Sequence, residues 1–580
     1  MEELPNLLRN YQQGDELEVR IGTFSGKTFF TGITEYIFYM LINYISNSND
    51  YYKNRYIQKI QYFNGGYRFI KNLITNEENI IRKLNKNHID FEHDTIGIRI
   101  SLSSEENVTN ILRSNITDKI MERDRIRTSL INKNGYFKLD LSFDTVKNIK
   151  GNRGRGDNRD NKGVNIYQEY QVELEFLQKL DISIINTTIL WFIKLIDQMK
   201  AAQQIVVEYN NMIPEAKGKS VPYTGEKMPK NIKIDLIPFL EDYSVINKPN
   251  GINYIFYITS RGNSVLFNKT DLVNLKIKSN YFKTAIFGEF LNEKFYAIDT
   301  LLFNGKNIIN KDYIYRWKLL FFLKKTLNWD EFNIIPVFSS PDLTENISNV
   351  FRYISKNWKR YENDGIIFKP TKLPFNNGFT YKWKPWDENT IDFSIKRLGK
   401  GRIGYSTYNL LVYISGKTQF MELIPFIGSK NYRINPVIEI DDSLMQKIGK
   451  GVLPPDLSII EFNYIISSKK FIPKRIRHDK IKPNFRDVAE SIWEDIFNPI
   501  TDKLLINVSK INFNINDSVE IIINKACNYI KLTGDIKILE EIPVCKKDKI
   551  IDIFKEEIRK TISEGKRGEI IDKFKNYFSL

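Results

Sequence analysis

The amino-terminal part of the chain alternates between apolar and polar positions over several short segments. Because successive side chains of a strand point to opposite faces, this period predicts β-strands with one apolar and one polar face. The polar positions of five segments are mostly charged: Glu16, Glu18 and Arg20; Arg99, Ser101, Ser103 and Glu105; Arg123, Arg125 and Arg127; Lys138, Asp140, Ser142 and Asp144; and Glu173 and Glu175. The pattern predicts antiparallel strands that share a face lined by acidic and basic side chains.

A single strand with a charged face normally exposes that face to solvent. Five such strands, carrying acids and bases together, predict instead a closed barrel with a charged lumen. Same-face residues on a strand lie roughly 7 Å apart, so two Glu-x-Glu strands could place four carboxylates around one hard cation. Arginine side chains beside that cation would hold a polyphosphate.

Other patterns divide the first half of the chain. Residues 151–163 contain no hydrophobic residue and are predicted to form a mobile basic loop. Residues 185–200 repeat apolar positions at helical spacing, with Asn186 or Thr187 as the predicted cap. The polar segment 214–229, which contains glycine and proline, is predicted to be a linker.

The second half of the chain returns to short alternating strands, at residues 408–414 and 459–465. An amphipathic helix around Trp493 follows them. Helical spacing appears again within residues 551–562. We predict short strands followed by a closing amphipathic helix, and then a small helical appendage that packs on the body or docks a partner.

A lysine stands at a turn in the middle of the chain, in the sequence Lys248-Pro-Asn-Gly251. The β-type alternation stops there and resumes from Ile252. A lysine held at the end of buried strands can be desolvated, which lowers its pKa and frees its amine to attack an electrophile. Lys-x-x-Gly alone is equally typical of an ordinary hairpin turn, so the downstream residues decide between the two interpretations.

Short motifs follow this lysine in a fixed order. They are Gly288-Glu289-Phe290, the segment 295–305, Asp364-Gly-Ile-Ile-Phe368, Tyr381-Lys-Trp-Lys-Pro385, Asn389-Thr-Ile-Asp-Phe393 and Lys474-Arg-Ile-Arg-His-Asp-Lys480. Each fragment is a weak signal alone. In order and spacing, the series resembles the motifs of the covalent nucleotidyltransferases, the superfamily of RNA capping guanylyltransferases and ATP-dependent ligases.

The resemblance implies that the Lys248 amine attacks the α-phosphate of a nucleoside triphosphate and forms a phosphoramide with the nucleoside monophosphate. Charge develops on several oxygens at once, so the protein contributes mainly positioning and electrostatic stabilisation. By the same resemblance, the other residues of this reaction are Lys382, Lys384, Arg475, Arg477, Asp479 and Lys480. Those that bind GTP are Asn250, Gly251, Glu289 and Asp364. Lys382 and Lys384 lie two apart on one predicted strand and therefore share a face.

Three positions depart from the family's pattern. Asn250 stands where the motif Lys-x-Asp-Gly-x-Arg has its Asp, Asn253 stands at the Arg position, and Phe287 replaces the acid before Gly-Glu. Asn250 still donates and accepts hydrogen bonds but carries no charge. Asn253 cannot make the charge-assisted contact to a ribose or phosphate that an arginine makes. These departures are the argument for a non-enzymatic interpretation of the chain.

The paired Glu-x-Glu strands resemble the triphosphate tunnel metalloenzymes, which in capping systems remove the γ-phosphate from a nascent RNA 5′ end. The resemblance implies that the metal ligands are Glu16, Glu18, Glu173 and Glu175. It implies that the triphosphate is held by Arg20, Arg99, Arg125, Arg127 and Lys138. All-oxygen ligands favour Mg²⁺ or Mn²⁺.

A tunnel triphosphatase followed by a guanylyltransferase is the layout of mRNA capping enzymes in poxviruses, other large cytoplasmic DNA viruses and yeast cytoplasmic linear plasmids. The resemblance implies an α+β multidomain fold. Its domains are an antiparallel β-tunnel at 1–213, an ATP-grasp-like ligase/guanylyltransferase domain at 214–392, an OB-fold barrel at 393–498 and a short helical tail at 499–580. Because residues 499–580 contain no G-x-G-x-x-G, we expect no methyltransferase there.

Composition agrees with this interpretation. A net charge of +16 over 580 residues suits a polyanion such as RNA, and equally DNA or an anionic membrane. Two cysteines, Cys527 and Cys545, argue against a disulfide framework or a zinc site. The start of the chain does not resemble a signal peptide, and the apolar stretch Ile184–Ile196 is shorter than a membrane span. We expect a soluble, cytoplasmic protein without a membrane partner.

Three functions remain open on the sequence. The first is a metal-dependent RNA 5′-triphosphatase joined to a guanylyltransferase. Its partners would be GTP, the nascent RNA 5′ end and an RNA polymerase or a separate cap methyltransferase, in a viral or linear-plasmid system. The second is an ATP-dependent RNA or DNA ligase with an unusual amino-terminal domain. The third is a non-enzymatic RNA-binding protein, for which the argument is Asn250, Asn253 and Phe287.

Overall fold

The computed structural model describes the chain from residue 3 to residue 533 with gaps. The gaps are residues 13, 49, 74, 95, 109–118, 149–164, 225–228, 241, 358–361, 376, 416–420, 479, 512–520, 522–524, 526–527 and 530–531. Unit 1 comprises residues 1–222, 267–272 and 390–494, and unit 2 comprises residues 223–266, 273–389 and 495–580. The predicted basic loop at 151–163 and most of the predicted tail lie outside the described residues.

The amino-terminal part of unit 1 is an antiparallel barrel. Its strands are β1 (Asp15–Ser25), β2 (Thr28–Thr31), β3 (Tyr51–Phe63), β4 (Tyr67–Asn72), β5 (Glu78–His93), β6 (Ile96–Asn107), β7 (Lys119–Asn132), β8 (Phe137–Asn148) and β9 (Asn165–Phe176). Eight of them form a ring in the order β1-β6-β5-β4-β3-β7-β8-β9, closed by pairing of β9 with β1, and β2 pairs with β1 outside the ring. The barrel that the alternation predicted is present: the five charged segments lie on β1, β6, β7, β8 and β9, and β3, β4 and β5 complete the ring.

This barrel, called the tunnel below, is apolar on its outside. Three helices belong to the same region: α1 (Leu4–Leu8), α2 (Glu35–Asn47) and α3 (Ile182–Asn211). Phe38 of α2 lies 5.0 Å from Tyr170 of β9, and Trp191 of α3 lies 5.8 Å from Phe137 of β8, between ring centroids. Leu17, on the same outer face of β1, is completely buried. The helices therefore cover the apolar face of the strands, which leaves the charged face for the lumen.

Helix α3 is longer than the sequence predicted. It begins after Asp181 rather than at Asn186 or Thr187, and it has 30 residues. Its most apolar window has a mean hydropathy of 1.2, and 39% of that window is buried. By length and composition alone, α3 is long and apolar enough to cross a membrane. A helix packed on a protein core has the same length and composition, and Ile189 of α3 is completely buried.

The carboxy-terminal part of unit 1 is a second β-structure, called the barrel domain below. Its elements are β22 (Thr390–Lys400), β23 (Tyr405–Ser415), β24 (Met421–Pro425), β25 (Val437–Asp441), α6 (Asp442–Ile448), β26 (Ile459–Ile465), β27 (Lys470–Ile476) and α7 (Arg486–Phe497). The strand order is β24-β23-β22-β26-β27, with β25 on β23. Trp493 of α7 stacks on Phe471 at 5.7 Å and contacts Tyr464 at 4.6 Å, so this helix closes the domain as predicted.

Unit 2 contains two sheets. Its strands are β10 (Lys230–Asn231), β11 (Tyr243–Pro249), β12 (Ile252–Ile258), β13 (Asn263–Phe267), β14 (Leu272–Lys278), β15 (Thr284–Leu291), β16 (Lys294–Phe303), β17 (Lys306–Asn307), β18 (Phe332–Ile334), β19 (Val337–Phe338), β20 (Asn363–Pro370) and β21 (Tyr381–Trp383). Its helices are α4 (Tyr313–Thr326), α5 (Leu343–Asn357) and α8 (Asp502–Ser509). One sheet has the order β10-β21-β20-β11-β19, and the other has the order β14-β13-β12-β15-β16-β17 with β18 on β16.

Helix α8 lies where the sequence predicted a separate tail, and it belongs to the core of unit 2. Leu505 and Val508 are completely buried, in one cluster with Val245 of β11 and Ile366 of β20. Tyr529 is buried in the same cluster. The described beginning of the predicted tail therefore completes the hydrophobic core behind the first sheet.

Candidate functional site

Lys248 lies at the end of β11, at an irregularity in the strand pairing. Asn247 is opposite Ile366 of β20 and Pro249 is opposite Asn363, so the register shifts at Lys248. Such bulges redirect a side chain and occur beside active sites. Strands β11 and β12 belong to different sheets, so the hairpin interpretation of Lys248-Pro-Asn-Gly251 is wrong. The turn instead carries the chain from one sheet to the other.

Asp364 holds two lysines at the end of β20. The Nζ atom of Lys248 lies 2.7 Å from Asp364 Oδ2, and the Nζ atom of Lys384 lies 2.6 Å from the same oxygen. The side chains of Lys248 and Lys384 are 19% and 18% exposed, and that of Asp364 is 9% exposed. Three residues from three separate motifs thus form one cluster, in which a carboxylate lies between two ammonium groups.

Glu289 of β15 reaches the same turn from the second sheet. Its Oε2 accepts a hydrogen bond from the backbone N–H of Gly251 at 3.0 Å, and Glu289 is 4% exposed. A Cβ at Gly251 would lie 2.9 Å from the Phe290 carbonyl oxygen and 3.2 Å from Glu289 Oε2. The close approach of the two backbones therefore requires glycine at position 251.

The three departures from the family pattern have distinct surroundings. The Asn250 side chain donates to Glu362 Oε2 at 3.3 Å, and its backbone N–H donates to the Glu362 carbonyl at 3.0 Å. Asn253 is exposed and stands opposite Glu289 in the β12–β15 register. Phe287 is buried, so its aromatic ring fills a core position. An acid at position 287 would be a buried carboxylate, which is costly without a partner.

The remaining predicted residues of this reaction are distributed over both units. Lys382 lies on β21, opposite Ile367. In unit 1, the Arg475 guanidinium lies 2.7 Å from Glu461, and Arg477 lies 3.0 Å from Asp392. Lys480 also pairs with Asp392. Asp479 lies outside the described residues.

The four predicted metal ligands meet inside the tunnel. In the β1–β9 register Glu18 is opposite Glu175, and Arg20 is opposite Glu173. Glu16 lies two residues from Glu18 on the same face of β1. Glu18 is 3% exposed, so these carboxylates are not on a solvated outer surface. The structure thus brings all four glutamates to one region of the lumen.

Basic side chains neutralise these glutamates. Arg20 pairs with Glu18 and lies 3.2 Å from Glu173. Arg127 contacts Glu173 at 3.2 Å, and Lys138 contacts Glu175 at 2.8 Å. Of the other two predicted phosphate contacts, Arg125 makes a bidentate pair with Asp144 of β8 at 2.7 and 2.8 Å.

Arg99 has a different environment from the other predicted triphosphate contacts. It pairs with Asp90 of β5 at 2.6 Å and lies over the Phe29 ring at 4.7 Å. In the register it is opposite Arg20, which places both arginines on the lumen side of the strands. The described contacts of Arg99 are therefore with Asp90 rather than with the glutamates.

Sequence reasoning missed Lys83 as a member of this cluster. Its Nζ pairs with Glu16, lies 3.3 Å from Glu18 and lies 3.7 Å from Glu105. A β-bulge between Asn85 and Asn87 shifts the side-chain alternation of β5, so the period-2 signal around Lys83 is broken. The signal that was present is the alternation of the neighbouring strand β6, which pairs with this part of β5.

Arg123 and its partners form a second ionic group in the lumen. Arg123 lies 3.0 Å from Asp144 and 2.9 Å from Glu169. Both Arg123 and Asp144 belong to the charged alternation of the sequence, but neither was assigned a role. Glu169 precedes the Glu-x-Glu pair on β9, where alternation with the same period would have identified it.

Burial and charge act in opposite directions on the four glutamates. Burial opposes ionisation of Glu173, but Arg20, Arg127 and Arg125 outweigh it, so the pKa of Glu173 is lowered. Burial likewise opposes ionisation of Glu16, and Lys83 outweighs it, so the pKa of Glu16 is also lowered. Burial raises the pKa of Glu18, and it raises the pKa of Glu175 to about 7 despite the pairing with Lys138.

We expect the raised pKa of Glu175 to make the metal-free protein less stable as the pH rises. The folded state holds this proton up to about pH 7, whereas an ordinary glutamate loses it near 4.5, so the stabilisation is complete below 4.5 and is lost through 7. Between pH 5.5 and 8 this group should lower the free energy of unfolding by about 2 kcal/mol. Denaturant unfolding in a chelator at both pH values measures the change.

The matched variant for this measurement is Glu175→Gln, which keeps the shape of the side chain and cannot titrate. Between pH 5.5 and 8, the free energy of unfolding of this variant should fall by about 2 kcal/mol less than that of the parent. An undiminished decrease in the variant would assign the pH dependence to other groups. Glu16 and Glu173, whose pKa values are lowered, contribute stability that is lost only below about pH 4.5, outside this window.

Parts of this chain are similar in sequence to known mRNA-capping enzymes. Residues 388–506 match the family model of the mRNA capping enzyme C-terminal domain. A probable mRNA-capping enzyme of Acanthamoeba polyphaga mimivirus is 23% identical over 454 residues, which cover 59% of this chain and 38% of the relative. An mRNA-capping enzyme of African swine fever virus is 26% identical over 285 residues, which cover 43% of this chain and 32% of the relative. This chain therefore aligns with less than half of the length of either viral relative.

A solved structure of the mimivirus capping enzyme triphosphatase is 18% identical with a TM-score of 0.25, and the match covers 34% of this chain and 96% of that chain. At this TM-score the comparison adds nothing to the fold described above. The mRNA-capping enzyme of Mus musculus is 29% identical over 148 residues, which cover 25% of this chain and 21% of the mouse protein. The resemblance predicted from the motif series is confirmed: in sequence, this chain is similar to mRNA-capping enzymes.

Proposed function

We propose that this protein caps RNA 5′ ends in two steps. The tunnel removes the γ-phosphate of a triphosphate RNA end, and Lys248 of unit 2 transfers GMP from GTP to the resulting diphosphate end. The observation that supports the second step most directly is the cluster of Lys248, Lys384 and Asp364, which come from three separate motifs. The similarity to mRNA-capping enzymes supports the assignment.

The cluster suits an amine nucleophile that must be held until the nucleotide arrives. Asp364 pairs with both ammonium groups, so the carboxylate orients Lys248 and keeps Lys384 beside it. When the Lys248 amine bonds to the α-phosphorus, the bond to the pyrophosphate oxygen breaks and pyrophosphate leaves. Lys384 would then offset the negative charge that develops on the α-phosphate oxygens. The Lys248 ammonium must first lose a proton to become a nucleophile, and Asp364 is close enough to accept that proton. The nitrogen releases a second proton to solvent as the P–N bond forms.

Two further elements of the site support nucleotide binding. Glu289 holds the Gly251 backbone, which fixes the turn after Lys248. The resemblance assigns Glu289, Asn250 and Gly251 to GTP, and it assigns Arg475, Arg477 and Lys480 to the β- and γ-phosphates. Lys382 and Asp479 keep their predicted roles in the reaction.

The tunnel suits a polyphosphate bound beside a divalent cation. The donor set fits Mg²⁺ or Mn²⁺, because it consists of carboxylate oxygens from Glu16, Glu18, Glu173 and Glu175. When bound, such a cation polarises the γ-phosphate and activates a water molecule. The ammonium of Lys83 pairs with two of these carboxylates and would have to turn toward the phosphate, where its charge is again compensated.

The basic residues of the lumen would hold the triphosphate. Arg20, Arg127 and Lys138 already lie against Glu18, Glu173 and Glu175. We propose that these three residues contact the phosphates together with Arg125 and Arg99. Guanidinium groups bind phosphate oxygens in bidentate fashion, which positions the chain of phosphates along the tunnel.

The remaining assignments follow from the same proposal. We keep the predicted domains at 1–213, 214–392 and 393–498, with a ligase/guanylyltransferase fold in the second and an OB fold in the third. The predicted segment 499–580 is kept as a carboxy-terminal extension whose described beginning, α8, packs in the core of unit 2. The partners are GTP, the nascent RNA 5′ end, and an RNA polymerase or a separate cap methyltransferase. We place the reaction in the cytoplasm, in a viral or linear-plasmid transcription system, since two of the relatives described above come from mimivirus and African swine fever virus.

The experiment that tests the proposal offers the purified protein α-labelled GTP and α-labelled ATP in parallel with a divalent cation. We expect a covalent adduct from GTP, stable to denaturation and chased onto diphosphate-ended RNA. An adduct from ATP in place of GTP would instead establish the ligase alternative. Absence of either adduct would contradict the proposal and leave the RNA-binding alternative that Asn250, Asn253 and Phe287 motivate.

A further inference from the structure

The outer face of the tunnel contacts the barrel domain within unit 1. In the β3–β7 register, Tyr56 is opposite Arg127 and Gln58 is opposite Arg125, so the even-numbered positions of β3 face the lumen. Arg55 alternates with them and therefore points outward. The Arg55 Nη1 donates to the Leu457 carbonyl at 3.0 Å, and Nη2 donates to the Ile481 carbonyl. One tunnel arginine therefore bonds two backbone positions of the barrel domain.

A second contact reaches the next residue of the same segment. The Lys482 ammonium lies 5.2 Å from the ring centroid of Phe143 on β8. Phe143 is buried and alternates with the lumen residues Ser142 and Asp144, so it too belongs to the outer face. Ile481 and Lys482 are consecutive, and the tunnel thus holds two adjacent residues of the barrel domain.

The segment held in this way carries two of the proposed phosphate contacts. Lys480 directly precedes Ile481, and Arg477 lies four residues upstream of it. Both pair with Asp392 of β22, which also accepts a hydrogen bond from the Asn484 backbone N–H at 2.9 Å. Arg477 and residues 480–484, together called the phosphate segment below, are therefore anchored to β22 through Arg477, Lys480 and Asn484 and to the tunnel through Ile481 and Lys482.

The groups around Arg55 leave it without a carboxylate partner among its described contacts. Burial lowers the pKa of Arg55 to about 10, so it stays charged at pH 7. Tyr413 of β23 lies within electrostatic range of Arg55 and of Asp124, and burial raises the pKa of Asp124 to about 6. A buried guanidinium whose hydrogen bonds go to carbonyl oxygens fixes backbone geometry rather than neutralising a charge.

We infer that Arg55 is a positioning residue of the guanylyl-transfer reaction, through which the tunnel holds the phosphate segment in the conformation that binds GTP. The inference rests on the proposed function, since it concerns the phosphate contacts of Lys480 and Arg477. It adds that the tunnel is a structural part of the second reaction and not only the site of the first. A displacement of about 1 Å in such contacts is sufficient to change a rate substantially.

The test compares Arg55→Met with the parent protein in GMP adduct formation over a range of GTP concentrations. We expect the KM for GTP to rise about tenfold. The γ-phosphate release of the same preparation should stay within about twofold, because Arg55 lies outside the lumen. Arg55→Lys, with one ammonium in place of the forked donors, should give an intermediate KM.

The matched control is Arg82→Met. Arg82 is another outward-facing arginine of the tunnel, but it donates to the Gly65 carbonyl of its own domain at 3.4 Å and lies over Tyr67. It should leave the KM for GTP unchanged. A KM for Arg55→Met equal to that of the parent would overturn the inference while the proposed function stands. An inactive parent would overturn the proposed function itself.

A second variant covers the case in which Arg55→Met does not fold. Phe143→Leu removes the other contact of the tunnel with the phosphate segment and keeps an apolar side chain at that position. We expect it to raise the KM for GTP in the same direction with γ-phosphate release preserved. An unchanged KM in Phe143→Leu would then count against the inference.

Discussion

Lys248→Ala should abolish the covalent GMP adduct. The amine of Lys248 is the group that would bond to phosphorus, whereas Lys384, which pairs with the same Asp364 oxygen, is proposed to offset the charge on the α-phosphate. We expect adduct formation to fall by at least about 1,000-fold, since removal of a covalent nucleophile eliminates the route rather than weakening it. Gel autoradiography after incubation with α-labelled GTP measures it.

Two variants separate loss of the nucleophile from loss of the ion pair. Lys248→Arg keeps a positive charge opposite Asp364 but remains protonated, so it should be as inactive as Lys248→Ala. Lys372→Ala is the matched control, because Lys372 is an exposed lysine of the same unit that pairs with Asp242 at the surface. It should behave as the parent. An adduct in Lys248→Ala at the parental level would contradict the assignment of the nucleophile.

The sequence predicted this site through the order of its motifs rather than through any local pattern. Lys248 and Asp364 are separated by 116 positions, and nothing in the spacing alone requires them to meet. The resemblance implied that both residues belong to one nucleotide site, and the structure shows that they form an ion pair. Local pattern reading was wrong at the turn itself, because alternation on both sides suggests a hairpin whether the two strands share a sheet or not.

More of the tunnel could be predicted from the local sequence pattern. A strand that is buried on its outer face and charged on its inner face gives strict alternation, so Glu16, Glu18 and Glu173 could be placed on one side directly. Lys83 could not, because the bulge in β5 interrupts the period. The ring strands β3 and β5 were not predicted, since they carry mixed polar and apolar positions without a clean period.

Contacts between segments that are distant along the chain could not be predicted from the sequence. Arg55 and Ile481 are 426 positions apart, and a lone outward arginine on a strand is normally solvated. The same holds for α8, whose Leu505 and Val508 complete a core built mainly from residues 232–383. Amphipathic spacing predicts that a helix buries one face, but it does not identify the surface on which that face packs.

Glu173→Gln should abolish γ-phosphate release and spare the GMP adduct. Glu173 is partly buried among Arg20, Arg125 and Arg127. These arginines lower its pKa, so the carboxylate is ionised at neutral pH and available to a cation. The neutral amide cannot replace the charge of a metal ligand. We expect the release of phosphate from triphosphate-ended RNA to fall by at least about 100-fold, with adduct formation within about twofold of the parent.

Glu16→Gln should have the same effect from the neighbouring strand β1, which pairs with β9. The two variants therefore test one metal site from two different strands. The matched control is Glu106→Ala: Glu106 is exposed and follows the lumen residue Glu105 on β6, so its side chain lies on the outer face. If either lumen variant lost both activities while keeping the parental melting temperature, the two sites would not be independent. In the lumen, Glu16 pairs with Lys83, and Glu173 pairs with Arg20 and Arg127. Either variant therefore leaves a basic side chain without its carboxylate partner. Excess divalent cation should not restore phosphate release.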